Sequence, residues 1–218
     1  MFFQYDETAT DYLKRKDKRL GAVIDALGHI DRTVDTDLFA AVVHHIIGQQ
    51  ISTKAQQTLW QRMQDGLGTI TAETLLAAGR DRIQSFGTTF KKADYILAFA
   101  ERVHDGTFDI AAVEQMTDAE AIAALVALPG IGVWTAEMLL LFCLQRPDIL
   151  SYGDLAILRG MRMVYRHRKI AMDIVAKHLP ADEDGVRIAE LDEMTFRRLQ
   201  RRRLRGDGRR GIRGRSRT

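Results

Sequence analysis

The sequence predicts an all-α fold. Apolar residues recur at helical spacing along almost the whole chain, and no stretch shows the sustained alternation of polar and apolar residues that marks a strand. A chain of 218 residues, 46% of them hydrophobic, is long enough to bury a substantial core. No internal repeat of fixed period is visible, so a solenoid is not expected.

The first long helical pattern begins near Leu38 and is expected to continue through Gly48. Its apolar stripe comprises Leu38, Phe39, Val42, Val43, Ile46, Ile47, Ile51, Ala55, Leu59 and Met63. The stretch from Asp65 to Gly68 would end this pattern, and Thr71 followed by Leu75 indicates a short helix.

Further helices follow at regular intervals. They are predicted over Lys91–Val103, Thr117–Ala127, Trp134–Leu144, Leu155–Arg166, Met172–Leu179 and Ile188–Leu204. The inward positions of the first two are Ala93, Ile96, Leu97, Ala100, Ile122, Leu125 and Val126. Residues 205–218 are mostly arginine and glycine, with almost nothing to bury, which is typical of a disordered basic tail.

The formal net charge of +3 hides a division along the chain. Residues 197–218 hold 11 arginines and one acid, Asp207, a charge of +10, which leaves −7 for residues 1–196. A polyanion would therefore bind the folded part through a local concentration of donors rather than through bulk charge. The tail is either a flexible phosphate-binding polycation or a solvated run without specific partners.

Several classes of protein are excluded by composition. No apolar run is long enough to span a membrane and no signal core follows the start, so we expect an intracellular protein. The single cysteine, Cys143, cannot form a disulfide within the chain. The histidines lack metal-ligand spacing, and neither a Gly-x-Ser-x-Gly elbow nor a Walker loop occurs.

The most informative segment is the run from Leu128 to Ala136, LPGIGVWTA, which joins a glycine turn to the start of a helix. Gly130 and Gly132 permit positive φ angles and close backbone approach, and Pro129 presets the turn. The first N–H groups of the following helix lack partners and attract an anion, so the segment can anchor a phosphate. For the turn alone, an ordinary connection between two helices is an equal alternative.

Two other segments accompany this hairpin. Gly48-Gln49-Gln50-Ile51-Ser52 lies upstream, and Asp154 follows Trp134 by 20 residues. Together the three segments resemble the helix-hairpin-helix (HhH-GPD) DNA glycosylase superfamily, specifically its DNA-3-methyladenine glycosylase II type, from about Leu38 to Lys169. The resemblance implies two helical subdomains with a cleft between them: residues 1–35 plus 151–204, and a bundle of residues 36–150 that contains the hairpin.

The resemblance implies a monofunctional glycosylase that flips alkylated purines, such as 3-methyladenine or 7-methylguanine, out of duplex DNA and hydrolyses the N-glycosidic bond, in base excision repair. Cleavage builds positive charge on the deoxyribose, which a fixed carboxylate beside C1′ can stabilise while it orients or deprotonates water. Asp154 is the candidate, although an aspartate before Leu155 is also a good helix N-cap. Tyr152-Gly153-Asp154 departs from the Gly-Pro-Asp of the superfamily.

The lesion pocket is expected to contain Trp134 and Met138. Trp134 occupies the position of the Schiff-base lysine of bifunctional members, and no lysine lies between Lys92 and Lys169, so no lyase step is expected. An indole can hold a cationic base by cation–π stacking, with core packing as the alternative for Trp134. Met138 stands where the best-known members of this type have a tyrosine, and it cannot donate a hydrogen bond. The family's C-terminal pocket aromatic has no counterpart after Phe196.

The resemblance also implies DNA contacts. The candidates are Gly130, Ile131, Gly132, Val133, Thr135, Gln49, Gln50, Ser52, Lys91 and Lys92. Gln50, with Gln49 beside it, is the candidate wedge that fills the gap left by the flipped base, and a polar residue at a helix kink is the alternative. Lys91 and Lys92 would contact phosphates, or be solvated lysines at a helix start.

No catalytic cofactor is expected. The resemblance implies a structural monovalent cation, Na or K, on the backbone carbonyls of Val126, Leu128 and Ile131. One cysteine excludes the iron–sulfur cluster of some relatives, and the 35 residues before the bundle leave no room for the β-rich domain of others. We expect a monomer, in the bacterial cytoplasm or the eukaryotic nucleus. The alternatives are a glycosylase for oxidised, deaminated or mismatched bases, a noncatalytic DNA-binding hairpin module, and a structural or protein-binding helical domain.

Overall fold

The computed structural model describes residues 1–166, and within them it confirms the all-α prediction. The helices are α1 Glu7–Lys16, α2 Lys18–Leu27, α3 Leu38–Gly48, α4 Thr53–Leu67, α5 Ala72–Ser85, α6 Phe90–His104, α7 Ile110–Gln115, α8 Asp118–Val126, α9 Val133–Phe142 and α10 Leu155–Tyr165. An isolated bridge pairs Phe2 with Thr33. The predicted helices Met172–Leu179 and Ile188–Leu204 and the tail 205–218 lie outside the described residues. Over residues 1–166, none of the helices has the length and apolar character needed to cross a membrane.

The chain divides into two compact units, each described here by itself. The first comprises Met1–Phe3 and Thr33–Arg146 and contains α3 to α9. The second comprises Gln4–Arg32 and, among the described residues, 147–166, and contains α1, α2 and α10. The sequence places the boundaries after residues 35 and 150, and the structure places them after residues 32 and 146.

Helix α3 is the centre of the first unit and packs against α4, α6 and α9. A helix surrounded by partners must be apolar on more than one face. The α3 residues with no exposed surface are Val42, Val43, Ile46 and Ile47. Phe39 stacks on Phe99 of α6, with ring centroids 4.9 Å apart. Phe99 is fully buried, whereas the predicted inward residue Leu97 is only partly buried.

The predicted continuous helix through Gly48 is wrong, because the chain forms two helices separated by residues 49–52. Gly48 has Gln56 against it: a Cβ at Gly48 would lie 2.3 Å from the Gln56 amide nitrogen. That amide donates a hydrogen bond to the His44 carbonyl, 2.9 Å away, and so folds α4 back on α3. The apolar stripe breaks here too, since Ile51 and Ala55 are exposed.

Two other helices differ from the prediction. Helix α5 is longer than expected: Thr71 and Thr74 form a reciprocal capping box at its start, and Gly79, with φ of 71° and ψ of 174°, kinks it without ending it. In α8, Val126 is exposed rather than inward, and Ala121 is buried instead. The six-residue helix α7 is too short to show a helical period, and the sequence did not indicate it.

The second unit is built on a helical hairpin. Asp17 is the only residue between α1 and α2, and its carboxylate accepts from the amides of Arg19 and Leu20 at 2.8 and 3.0 Å. The buried cluster comprises Leu13, Leu20, Leu150, Ile157, Met161 and Tyr165. The Arg19 guanidinium donates to the Tyr165 carbonyl at 3.2 Å, which ties α2 to the end of α10.

Candidate nucleic-acid interface and catalytic carboxylate

The turn between α8 and α9 requires a glycine at position 130. Gly130 has φ of 83°, and a Cβ there would lie 2.4 Å from the ring of Tyr95. Both the backbone conformation and the contact therefore exclude a side chain. The turn is closed by a hydrogen bond from the Ile131 amide to the Leu128 carbonyl, at 3.2 Å. The sequence prediction for Gly130 agrees with this geometry.

Gly132 differs from Gly130 in both respects. Its φ is −96° and its ψ is 169°, so the predicted positive φ is wrong at this position. A Cβ at Gly132 would meet no atom within 4 Å. Gly132 is the N-cap of α9 and supplies no side-chain cap. Within the part of the chain that the structure describes, neither its backbone angles nor its surroundings require a glycine at this position.

The residues on either side of Gly132 differ in burial. Val133 and Trp134 are exposed, and Trp134 keeps 48% of its surface accessible. Ile131 and Thr135 are buried, so any contact that these two residues make with DNA must use the backbone. Met138, one turn after Trp134, is only 8% exposed and packs in the core of the first unit.

The two adjacent glutamines after α3 have different environments. The Gln49 side-chain amide donates to the Gly130 carbonyl at 2.7 Å, so its polar head is used within the protein. Gln50 is exposed and has φ of 58°, in the left-handed region that non-glycine residues seldom adopt. Ser52 caps α4, its hydroxyl accepting from the Ala55 amide at 3.3 Å. Gln50 therefore suits the wedge role better than Gln49.

The lysines at the start of α6 also have separate roles. The Lys92 ammonium donates to the carbonyls of Ile47 and Gln49, at 2.8 and 2.6 Å, and burial lowers the pKa of Lys92 from its ordinary value. Lys91 is exposed, with its ammonium 5.7 Å from the centre of the Tyr95 ring. Phosphate contact stays a prediction for both residues, but two of the three N–H donors of Lys92 already have acceptors.

The monovalent cation predicted from the sequence would bind backbone carbonyls of the hairpin. Neutral oxygen ligands suit hard cations, and the donor set of Val126, Leu128 and Ile131 is of this kind. The Leu128 carbonyl already accepts from the Ile131 amide, which leaves it one further lone pair. In residues 1–166, no group of three His, Cys, Asp or Glu side chains is placed to hold a metal ion.

In the second unit, Asp154 is the N-cap of α10. Its Oδ1 atom accepts from the amides of Ala156 and Ile157 at 2.6 and 3.3 Å, and its own amide donates to the Ser151 carbonyl at 3.1 Å. These bonds fix the carboxylate at the N-terminal end of α10. Ser151 is fully buried beside this turn. A fixed, partly buried carboxylate can stabilise a developing cation.

Comparison with known proteins decides the family. The profile of the family described as HhH-GPD superfamily base excision DNA repair protein matches residues 43–180, more than half of the chain. The chain belongs to the HhH-GPD superfamily. The matched range includes the Gly130–Gly132 hairpin and Asp154.

The individual relatives of the chain share 30% or less of their sequence with it. DNA-3-methyladenine glycosylase 1 of Schizosaccharomyces pombe is 29% identical over 145 residues, 64% of each chain. The structure of DNA-3-methyladenine glycosidase from Bacillus halodurans has 30% identity and a TM-score of 0.65, over 76% of each chain. The S. pombe enzyme in complex with abasic DNA has 23% identity and a TM-score of 0.69, over 79% of this chain and 90% of that one, and this likeness shows the fold.

The chain spans between 46% and 64% of the length of the curated relatives that it matches.

Tyr95, whose ring lies against Gly130 of the hairpin, was not predicted from the sequence. A glycine in a turn can indicate that a large side chain packs against it, but here that side chain lies 35 positions earlier, on α6. Its position, one turn after Lys91, was the available signal.

Proposed function

We propose that the chain is a monofunctional DNA glycosylase that removes alkylated purines from duplex DNA in base excision repair. The observation that carries the proposal is the carboxylate of Asp154, held by two amides of α10 and following Trp134 by 20 residues in an HhH-GPD chain. A noncatalytic DNA-binding module would need the hairpin but no fixed carboxylate. The names of the relatives, which are 3-methyladenine glycosylases, support the alkylated-base class.

In this proposal, the amides at the start of α9 hold a DNA phosphate. The absence of a side-chain cap and the open space at Gly132 support this role, because a phosphate oxygen could then approach the helix axis closely. The exposed Gln50 fills the gap left by the flipped base. The carbonyls of Val126, Leu128 and Ile131 would hold a monovalent cation, whose charge would add to the attraction for the phosphate.

Asp154 stabilises the oxocarbenium-like deoxyribose as the base leaves, and it orients the water that attacks C1′. Because an alkylated purine carries a positive charge, it leaves as a neutral base and needs less help than an unmodified purine. The carboxylate therefore supplies electrostatic stabilisation where charge develops, which is commonly the largest catalytic term. Water provides the oxygen of the sugar product and the abasic site remains in the DNA.

Trp134 binds the cationic base by stacking. Its exposed indole, at the start of α9, supports this role, since a cation near an indole face is stabilised by the ring quadrupole. Met138 lies behind it in the core, where it can shape a pocket wall but offers no donor. Because position 134 holds tryptophan and not lysine, we infer that the enzyme has no β-lyase step. We also propose that it acts as a monomer, in the bacterial cytoplasm or the eukaryotic nucleus.

Release of free base from methylated duplex DNA tests the proposal. The wild-type chain should release 3-methyladenine or 7-methylguanine and leave abasic sites that break only after alkali. Duplexes carrying 8-oxoguanine or uracil serve as controls for other lesions. Nicks without alkali would contradict the monofunctional assignment. Duplex binding without release of any of these bases would favour the noncatalytic module.

A further inference from the structure

The end of α3 is closed by a side chain from another helix. The last carbonyls of a helix lack intrahelical partners, and a cation is favoured at this negative end of the dipole. Lys92 of α6 provides that cation, with its Nζ 2.8 Å from the Ile47 carbonyl and 2.6 Å from the Gln49 carbonyl. The chain leaving α3 is thus fixed before it reaches Gln50.

Gln49, whose carbonyl accepts a hydrogen bond from Lys92, also contacts the hairpin through its side chain. The Gln49 side chain donates to the Gly130 carbonyl at 2.7 Å, and Gly130 itself lies against the Tyr95 ring. Tyr95 is on α6, less than one turn after Lys92. The first turns of α6 therefore support both the segment of residues 49–52 and the hairpin, and Gln49 connects the two directly.

Gln50 lies between these restraints in an unfavourable conformation. Its φ of 58° is uncommon for a residue with a side chain, and such a conformation persists where the surrounding structure holds it. Lys92 and Gln49 restrain it on one side, and the Ser52 cap of α4 on the other. The strained residue is exposed, so its side chain is accessible to DNA, which fits the proposed wedge role.

We propose that Lys92 and Gln49 are positioning residues. They hold residues 49–52 in a fixed position relative to the hairpin, so that wedge insertion by Gln50 and phosphate binding by the hairpin occur together. This inference rests on the proposed glycosylase function. It assigns the Lys92 ammonium to the carbonyls of Ile47 and Gln49 rather than to a phosphate. Lys91, adjacent and exposed, is the matched lysine without this role.

Hydrogen exchange in the free protein gives a test without DNA. Lys92→Met should accelerate amide exchange in residues 49–52 and also in residues 130–132, whereas Lys91→Met should leave both unchanged. Gln49→Met, which removes the donor at similar size, should accelerate exchange in residues 130–132. Acceleration confined to residues 49–52 in Lys92→Met would overturn the coupling.

Kinetics then separate positioning from phosphate binding. Single-turnover base release by Lys92→Met should fall about tenfold or more, since small misplacements of positioning groups are costly. The slope of log affinity against log salt on undamaged duplex should stay as in the wild type. Loss of a phosphate contact would instead reduce that slope by about 0.9. That reduction, with normal release, would overturn the proposal.

Two further variants complete the design. Lys92→Arg keeps the charge and donors and should restore most of the release rate. The double variant Lys92→Met/Gln49→Met should lose little more than the worse single variant, because both residues act through one connection. Fully additive losses would overturn the shared role. If the wild type releases no base, the glycosylase proposal fails alone, because hydrogen exchange still decides the positioning.

Discussion

The side-chain amide of Gln49 reaches across 81 positions of the chain to donate to the carbonyl of Gly130, at 2.7 Å. This bond joins the segment after α3 to the hairpin before α9, the two places where an HhH-GPD protein of this sequence is expected to contact DNA. Polar contacts between distant segments of this kind cannot be deduced from helical periodicity.

The two hairpin glycines should respond differently to substitution. Gly130→Ala combines a positive φ with a clash against Tyr95 and should lower the free energy of unfolding by about 1–3 kcal/mol. Gly132→Ser places a preferred capping residue where there is open space, and should leave stability unchanged or higher. Its hydroxyl would compete with a phosphate for the α9 amides, so duplex affinity should fall. Denaturant unfolding and duplex titration measure both effects, and equal destabilisation by the two variants would contradict the account.

Trp134 and Met138 lie one turn apart on α9 but differ in burial. Trp134→Leu, at a half-exposed position, should change stability by less than about 1 kcal/mol while weakening release of cationic 7-methylguanine more than release of a neutral base. Met138→Ala, at a core position, should cost about 2–5 kcal/mol. Thermal unfolding with parallel release assays separates these effects. A strong destabilisation by Trp134→Leu would favour the core-packing alternative.

Stability should depend on pH through the histidines of α3. Burial, with a smaller contribution from the charge of His44, lowers the pKa of His45 to about 4, and burial also lowers the pKa of His44. A folded pKa below the unfolded value of about 6.5 means that the unfolded chain binds more protons, so stability is lost as the pH falls from about 6.5 to 4.

The His45 contribution over that range is about 3 kcal/mol. His45→Gln should flatten the dependence of unfolding free energy on pH. Denaturant unfolding at several pH values gives the slopes. An unchanged slope in His45→Gln would show that its imidazole titrates normally.

The capping role of Asp154 can be separated from its proposed chemistry. Asparagine is as good an N-cap as aspartate, so Asp154→Asn should keep the stability of the second unit. Asp154→Ala should lose about 1 kcal/mol, because the amides of Ala156 and Ile157 lose their acceptor. Unfolding curves of both variants measure the difference. Equal stability of the two would mean that the cap contributes nothing.

Much of the fold could be predicted because the spacing of apolar residues and the capping residues indicate where helices lie. The period identified α6, α8, α9 and α10 to within a few residues, and the glycine turn identified the hairpin. The break after Gly48 could not be predicted, since apolar residues recur at helical spacing on both sides of it in the sequence. What ends α3 is tertiary: the Gln56 side chain occupies the space beside Gly48.

The sequence offered candidate site residues, whose functional roles stay predictions, but it did not indicate the partners of their side chains. Asp154 could be read both as an N-cap and as a carboxylate for catalysis, and its capping bonds are present. Lys92 was predicted as a phosphate ligand because it follows a loop and lies at the start of a helix. Its carbonyl acceptors lie more than 40 positions earlier, at a helix end that the sequence did not reveal.

The most direct measurement is single-turnover release of methylated purine from duplex DNA by the wild type, Asp154→Asn and the control Asp148→Asn, which changes an exposed aspartate of the same unit. The account predicts that Asp154→Asn stays folded and binds duplex, but that its release rate falls by about 100-fold or more, while the control matches the wild type. Release by Asp154→Asn at the wild-type rate would contradict the claim that its carboxylate performs the chemistry.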